Sequence, residues 1–330
     1  VGVGHGATTD SMDPGLYPDQ FTGTALWGTL ANSLTEIDAD GNVVGDVAES
    51  FESSDGAKKW VFKVRNGITF HDGRTVTADD VIASLQHHLG ENSKSAAKSL
   101  LKEVATMKAD GPNTVVFELT GGNADFPYLV SDYHLSIYPS EGGKIQWDKG
   151  IGAGPYILKS FEPGVKMTAE RNPNYFGKSY FDAVEVLSII DVAARTNAYL
   201  SGEVHFIDRA DLKTIDMLKN APDTALYNVS GTALYSAPML VDVAPFDKVE
   251  VRQALKWAIN RQELVDKILY GYGSAGNDNM LAQSLKYAIQ PEPVYTYDPE
   301  KAKSLLKQFV SRHERTIVVN NFNTALCHNF

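Results

Sequence analysis

The 330-residue chain has a single cysteine, Cys327, almost at its C-terminus. A disulfide framework is thereby excluded, and so is a zinc site built on several cysteines. A lone thiol in a tail also argues against a Cys–His nucleophile. So little cysteine suits an exported protein that does without bridges, and it suits many cytosolic proteins equally. Basic residues are in the minority: 30 Lys and Arg stand against 41 Asp and Glu, a formal net charge of -11. That balance argues against nucleic acid, whose phosphates need a basic face, and against an anionic membrane surface. No stretch approaches the ~20 apolar residues of a membrane span. The opening "VGVGHGATTD" has neither a charged start nor an apolar run, so either the protein is cytosolic or its leader has been removed. Catalytic signatures are missing as well. There is no G-x-x-x-x-G-K-[ST], no G-x-S-x-G and no H-E-x-x-H. Gly2, Gly4 and Ala7 fit a G-x-G-x-x-A spacing, but hardly any chain precedes them and Asp13-Pro14 interrupts the stretch after them, so no dinucleotide site is read there.

What is present is an ordinary globular composition, 43% hydrophobic and 22% charged. The length suggests more than one domain. Strands and helices alternate, so the class is α/β. A short Val/Gly strand opens the chain, and "TALWGTLANSLTEID" reads as a short helix. "KKWVFKVRNGITF" alternates with period two, placing Trp60, Phe62 and Val64 on one face, with Asn66-Gly67 as a hairpin turn before Ile68-Thr69-Phe70. "NTVVFEL" reads as a strand, and two more flank Pro163-Gly164. "FDAVEVLSII" reads as a strand buried on both faces. Asp191 caps a helix that stops near Gly202, and a strand comes next. Leu212, Ile215 and Leu218 fall on one side of a helix. Val251, Ala254, Leu255, Ala258 and Ile259 have helical spacing. Asn260 then caps a second helix with Leu264, Val265, Ile268 and Leu269 as its apolar face, stopped by Gly271. Asp298 and Pro299 start another.

The most chemically suggestive stretch is "GITFHDGRTVTADDV", residues 67–81, which gathers His71, Asp72, Asp79 and Asp80. The local pattern gives each a backbone task. His71-Asp72-Gly73 has turn chemistry. Thr77 with Asp80 three residues on is a helix start, and Asp79 and Asp80 sit where the helix dipole favours carboxylates. The competing reading is a metal-assisted hydrolase using His71 and Asp72. Neighbouring His87 and His88 point about 100° apart on a helix and make poor paired ligands. Among 15 tyrosines and 4 tryptophans, Tyr17, Tyr128, Tyr133, Tyr175 and Tyr272 fall in expected loops. There they either line a cleft or pack at loop edges.

Several blocks together resemble the extracytoplasmic solute-binding proteins of ABC importers, in the peptide/nickel/opine cluster (bacterial solute-binding family 5). They are "VAESFESSDGAKKWVFKVRNGITFHDGRTVTADDV", "GAGPYIL" with Ala153 where Thr is usual, "ERNPNYFGKSYFDAVEV", "APFDKVEVRQALKWAINRQELVDKILYGYG" and "YDPEKAKSLLKQ". The match is colinear over about Val1 to Gln308. It implies a two-lobed periplasmic binding protein of the class with an extra inserted domain, a hinge between the lobes, and the C-terminal part of the second lobe missing. The implied division is residues 1–34 plus 181–235 as lobe I, 35–180 as the insert, 236–308 as the start of lobe II, and 309–330 as a tail outside the family pattern. That tail suggests a frameshift with an early stop, or an artificially shortened chain. The resemblance implies ligand contacts from the loop after the first strand, at Tyr17, Asp19, Gln20 and Phe21, and from the crossover at Ala237, Pro238 and Met239. It implies no enzymatic activity, no cofactor and no metal. It also implies a small solute such as a peptide or opine as ligand, a membrane ABC permease as partner, and a periplasmic location after leader removal. A complete chain is expected to be a monomer, with self-association through the shortened lobe as the alternative. A third reading is a remnant that binds nothing.

Overall fold

The computed structural model describes residues 1–17, 19–229, 234–281 and 288–313. Strands β1 (Gly2–Val3), β2 (Thr35–Ile37), β3 (Val43–Gly45), β4 (Ala48–Ser54), β5 (Lys59–Val64), β6 (Val104–Ala109), β7 (Thr114–Leu119), β8 (Ser140–Glu141), β9 (Lys144–Ile145), β10 (Tyr156–Glu162), β11 (Lys166–Arg171) and β12 (Ala183–Ser188) form four sheets. The helices are α1 (Gln20–Leu26), α2 (Ala78–Gln86), α3 (Phe126–Leu129), α4 (Val192–Leu200), α5 (Ile215–Lys219), α6 (Val249–Ala258), α7 (Arg261–Ile268) and α8 (Pro299–His313). The chain divides into two units, Val1–Asp211 and Leu212–Phe330. Among the described residues no helix is long and apolar enough to cross a membrane.

The first unit has two hydrophobic cores. One runs from Leu34 to Ala153 around the antiparallel sheet β4-β5-β7-β6. Trp60, Phe62 and Val64 are buried and Lys59 and Lys63 exposed, as the alternation requires. Phe62 meets Phe117 edge-on at 5.4 Å, and Phe117 meets Phe126 at 5.1 Å, contacts worth about 0.5–1.5 kcal/mol each beyond burial. The expected hairpin across Asn66-Gly67 does not form. The turn is there, with Gly67 at φ 77°, but β5 pairs with β4 and β7, while Ile68 and Phe70 bond back to Val76 and Arg74. Both partners of β5 bury the same aromatic face, and that area outweighs the local turn.

The other core joins Val3, Tyr17, Phe21, Ala25, Leu26 and Leu30 to Tyr156, Met167, Ala169 and Val186. Its sheet runs β1-β12-β11-β10, with β1 parallel to β12 and the rest antiparallel. Thus β10 and β11, expected within the insert, hydrogen-bond into the sheet that holds the N-terminus. β12 is not buried on both faces: only Val186 is buried, and Ala183 and Glu185 are exposed. The strand expected after Gly202 is reduced to one bridge, Ile207 to Gly2. The expected helix over residues 24–38 begins earlier and is shorter, because Asp19 accepts the Thr22 N–H at 3.0 Å and so caps α1.

In the second unit α6 packs on α8, with Val251, Ala254 and Ala302 buried. Asn260 caps α7 by accepting the Glu263 N–H at 3.1 Å, and Asp298 caps α8 by accepting the Lys301 N–H at 2.9 Å. Of the apolar face expected on α7, Val265 is buried, while Leu264 and Ile268 are 51% and 60% exposed. The C-terminal segment from 314, with Cys327, lies outside the described residues.

The first unit also buries a carboxyl, Asp46. The Asn32 amide donates to both its oxygens, at 2.9 and 3.1 Å. Burial pushes this carboxyl up to about 7, against the pull of Asn32. The folded chain therefore holds its proton more tightly than the unfolded chain does. Stability falls as pH rises from the ordinary carboxyl value toward 7, and the loss is complete above it. Asparagine removes the charge and keeps one oxygen to accept from the Asn32 amide. Asp46→Asn is expected to raise the urea midpoint relative to the parent at pH 8 and to leave it unchanged near pH 4. An unchanged midpoint at pH 8 would contradict this account.

Candidate functional site

The loop after β1 turns twice before it enters α1. Asp13 closes the first turn by accepting the Gly15 N–H, and it receives His87 Nε2 at 2.7 Å. Burial alone would raise this carboxyl, but the His87 and Gly15 hydrogen bonds outweigh it and hold it below its ordinary value. α1 then separates its faces cleanly. Phe21, Thr22, Ala25 and Leu26 are buried. Gln20, Gly23, Thr24 and Trp27, at i, i+3, i+4 and i+7, line a pocket of about 700 Å³. His5, Tyr17, Asp19, Gly28, Thr29, Tyr133 and Arg209 complete its walls.

The pocket is aromatic on two sides and charged at two points. Trp27 and Tyr133, both in its wall, are 43% and 40% exposed. Tyr17 is buried behind them. Its ring stacks on Tyr133 at 6.3 Å and on His134 at 5.9 Å, and its hydroxyl meets that of Tyr138 at 2.5 Å. Burial pushes the Tyr17 phenol well up, so it stays neutral. Asp19 faces Asp10, whose carboxyl is raised by burial first and by the neighbouring Asp19 charge in addition. Arg209 contributes a guanidinium within hydrogen-bond reach of the His5 ring, at 3.2 Å.

Of the residues expected at a ligand, Tyr17, Asp19 and Gln20 come together here. Phe21 does not: it is fully buried and stacks on Phe161 at 5.8 Å, so its side chain serves the core. Ala237, Pro238 and Met239 belong to the second unit, in a stretch without helix or strand; the first two are exposed and Met239 is half-buried. Sequence reasoning missed His5, Trp27 and Arg209. For Trp27 a signal existed, the i+7 position counted from Gln20, once Asp19 is taken as the cap.

The quartet near residue 75 is spent on backbone. Gly152 N–H donates to His71 Nδ1 at 3.2 Å, and His71 Nε2 meets the Gly154 carbonyl at 3.1 Å. This is a neutral imidazole carrying its proton on Nε2, and burial keeps it below the ordinary histidine value. Asp72 accepts from the Arg74 side chain at 2.7 Å and from its N–H at 3.1 Å. Thr77 and Asp80 form a full capping box, and the second Asp80 oxygen accepts from Ser140 N–H and hydroxyl. Asp79 is exposed in the first turn of α2. Among the described residues no cluster of three potential metal ligands occurs.

The model of the bacterial extracellular solute-binding proteins, family 5, middle region, matches residues 42–318. The chain belongs to that family. This is a family of solute binding rather than catalysis. Di/tripeptide-binding protein 1 of Pseudomonas aeruginosa is 27% identical over 331 residues, covering 90% of this chain and 60% of the relative. The nickel-binding periplasmic protein of Escherichia coli is 26% identical over 311 residues, covering 90% and 58%. The structure of AgaA with agropinic acid from A. tumefaciens R10 superposes with a TM-score of 0.75 at 24% identity, covering 93% of this chain and 63% of that one. The fold is thus the mixed α/β fold of periplasmic binding proteins. This family 5 chain spans about 60% of the length of the relatives it matches.

The family's Gly-x-Gly-Pro-Tyr block has a physical reason here. A Cβ on Gly152 would stand 2.0 Å from the Leu30 carbonyl oxygen, and one on Gly154 2.6 Å from the Leu30 carbonyl carbon. His71 holds both glycines at that approach. His71→Ala leaves the buried Gly152 N–H without its acceptor and is expected to cost about 1–3 kcal/mol in urea denaturation. Nickel and zinc titrations should give no stoichiometric binding for parent or variant. Micromolar binding abolished by His71→Ala would restore the hydrolase reading.

Proposed function

We propose that this chain is the solute-capturing part of an ABC importer working in the periplasm, that it takes a peptide-like or opine-like solute, and that it delivers the solute to a membrane permease. The reading is carried by the pocket on the loop after β1, where exposed Trp27 and Tyr133 face space that the helix leaves open at Gly23. A Cβ built on Gly23 has no atom within 4 Å, so the gap belongs to the pocket and not to packing. Stacking rings with a few polar groups suit a small polar solute. The relatives' names for di/tripeptides and the agropinic acid complex support the two solute classes. Tyr17 acts as backing for Tyr133, Asp19 and Gln20 as polar contacts, and Ala237, Pro238 and Met239 are proposed as contacts of the second unit on the resemblance alone. Capture is coupled to a hinge, with solute favouring the closed state.

A thermal-shift screen against dipeptides, tripeptides, opines, nickel complexes and oligosaccharides tests this. A peptide or opine at ~100 times its dissociation constant is expected to stabilise the chain by about 2.7 kcal/mol. Gly23→Leu places a side chain in the pocket and should abolish that shift, while replacing helical glycine keeps the unliganded Tm at or above the parent's. No shift with any class would support a remnant without ligand, and full binding by Gly23→Leu would place the solute elsewhere.

A further inference from the structure

Arg209 is held in an uncommon way. Its backbone sits at φ 45°, the left-handed region that non-glycine residues rarely adopt. The hold comes from a buried arginine one helix away. Arg195 in α4 is 4% exposed and donates to four backbone carbonyls: Ile189 at 2.6 Å, Ile190 at 3.2 Å, Asp208 at 3.3 Å and Arg209 itself at 3.3 Å. It also pairs with the Asp208 carboxylate at 3.6 Å, and that carboxylate accepts the Gly4 N–H at 3.0 Å. The arrangement clamps residues 208–209 to the start of the chain. A Cβ on Gly4 would stand 2.9 Å from the Arg195 guanidinium, so glycine there lets the clamp close.

The charges in this clamp do not cancel. Asp208 faces two guanidiniums: Arg195 at 3.6 Å and Arg209 only at 4.0 Å. One carboxylate thus serves two guanidiniums, and its second oxygen, nearest Arg209, has no hydrogen-bond partner; the surplus positive charge lies on Arg209, 61% exposed in the pocket wall. Its neighbour His5 lines the same pocket. Backbone strain of this kind persists only where the surroundings over-determine it, and it concentrates at functional sites. A planar guanidinium offered from a rigid base is the side chain best shaped for a carboxylate.

We propose that Arg209, flanked by His5, is the specificity-determining residue that receives a carboxylate of the captured solute, and that Arg195 is the positioning residue that presents it. This rests on the solute-capture reading and narrows it: the solute carries a free carboxylate, which excludes neutral oligosaccharides.

The test uses matched probes: tri-alanine against tri-alaninamide, di-alanine against its amide, and an N-carboxyethyl amino acid against its diamide. Affinities are measured by calorimetry on the full chain. The acids should bind at least about 10-fold tighter than the amides. Arg209→Met should weaken the acids by about 10- to 100-fold, the range of a lost charge-assisted pair, with amide affinity unchanged. Arg209→Lys should recover part of the loss, and Arg74→Met, remote from the pocket, should change nothing. On the parent, the arginine Nε–H resonance that disappears in Arg209→Lys should shift with acid and stay still with amide, a readout that does not depend on the Met variant folding. Equal binding of acid and amide, or wild-type acid affinity in a folded Arg209→Met, would sink this inference and leave capture intact. Failure of every probe, acid and amide alike, would sink the capture reading and this inference with it.

Discussion

The close approach of two backbones, Gly152–Gly154 against Thr29–Leu30, is the constraint on which the first unit depends. It is held by one neutral imidazole. His71 accepts from Gly152 and meets the Gly154 carbonyl, Gly154 N–H donates to Leu30, and Tyr156 N–H donates to Thr29. Leu30 N–H in turn donates to Leu26 at the end of α1. The sheet core around Phe62 and the core around Phe21 are thereby joined where Gly152 and Gly154 leave no room for a Cβ. Thr29 lines the pocket, so His71, which does not, is linked to the pocket wall through the Gly152–Tyr156 backbone.

Much of this was legible in the sequence where the cause is local. The Thr77–Asp80 box, the Asn260 and Asp298 caps and the alternating face of β5 depend on residues within one turn or one strand, and each formed as expected. What failed depends on distant partners. The Asn66-Gly67 turn gives no sign that β5 will choose β7, some fifty residues on, over its neighbour. β12 is rich in apolar residues, yet only Val186 is covered, because burial of a strand is decided by what lies across each face. Arg209 was illegible for the strongest reason: its conformation needs Arg195, Asp208 and Gly4 together, and none of these announces the others at sequence distance.

The tyrosines divide by the same logic. Composition alone left them even between cleft lining and edge packing. Among the described residues Tyr17 and Tyr133 are the tyrosines that line the pocket, one buried and one open. Tyr128, expected in a loop, lies in α3 and donates to the Gly41 carbonyl; Tyr175 receives the Asn32 amide beside Asp46, and Tyr272 lies under the Lys219 ammonium at 4.8 Å. A phenol is useful at a loop edge for the reason that makes it useful in a cleft, an apolar body with a polar tip. Frequency therefore cannot separate the two, and a stacked partner behind the ring can.

These 330 residues carry a net charge of -11, which offers an anionic solute no long-range attraction. Selection of a carboxylate must then act within a Debye length, about 8–10 Å at physiological salt, and must come from one well-aimed cation. Pairing Arg195 with Asp208 supplies that condition. The buried pair spends its charge on structure and leaves the surplus at the Arg209 tip, across a pocket that also holds Asp19. Opposite charges on one small surface favour a solute that carries both signs, and a rigid base limits the entropy lost when it docks. The left-handed backbone at Arg209 is the cost of that rigidity, a strain of order 1–3 kcal/mol that four carbonyl hydrogen bonds from one guanidinium are placed to offset.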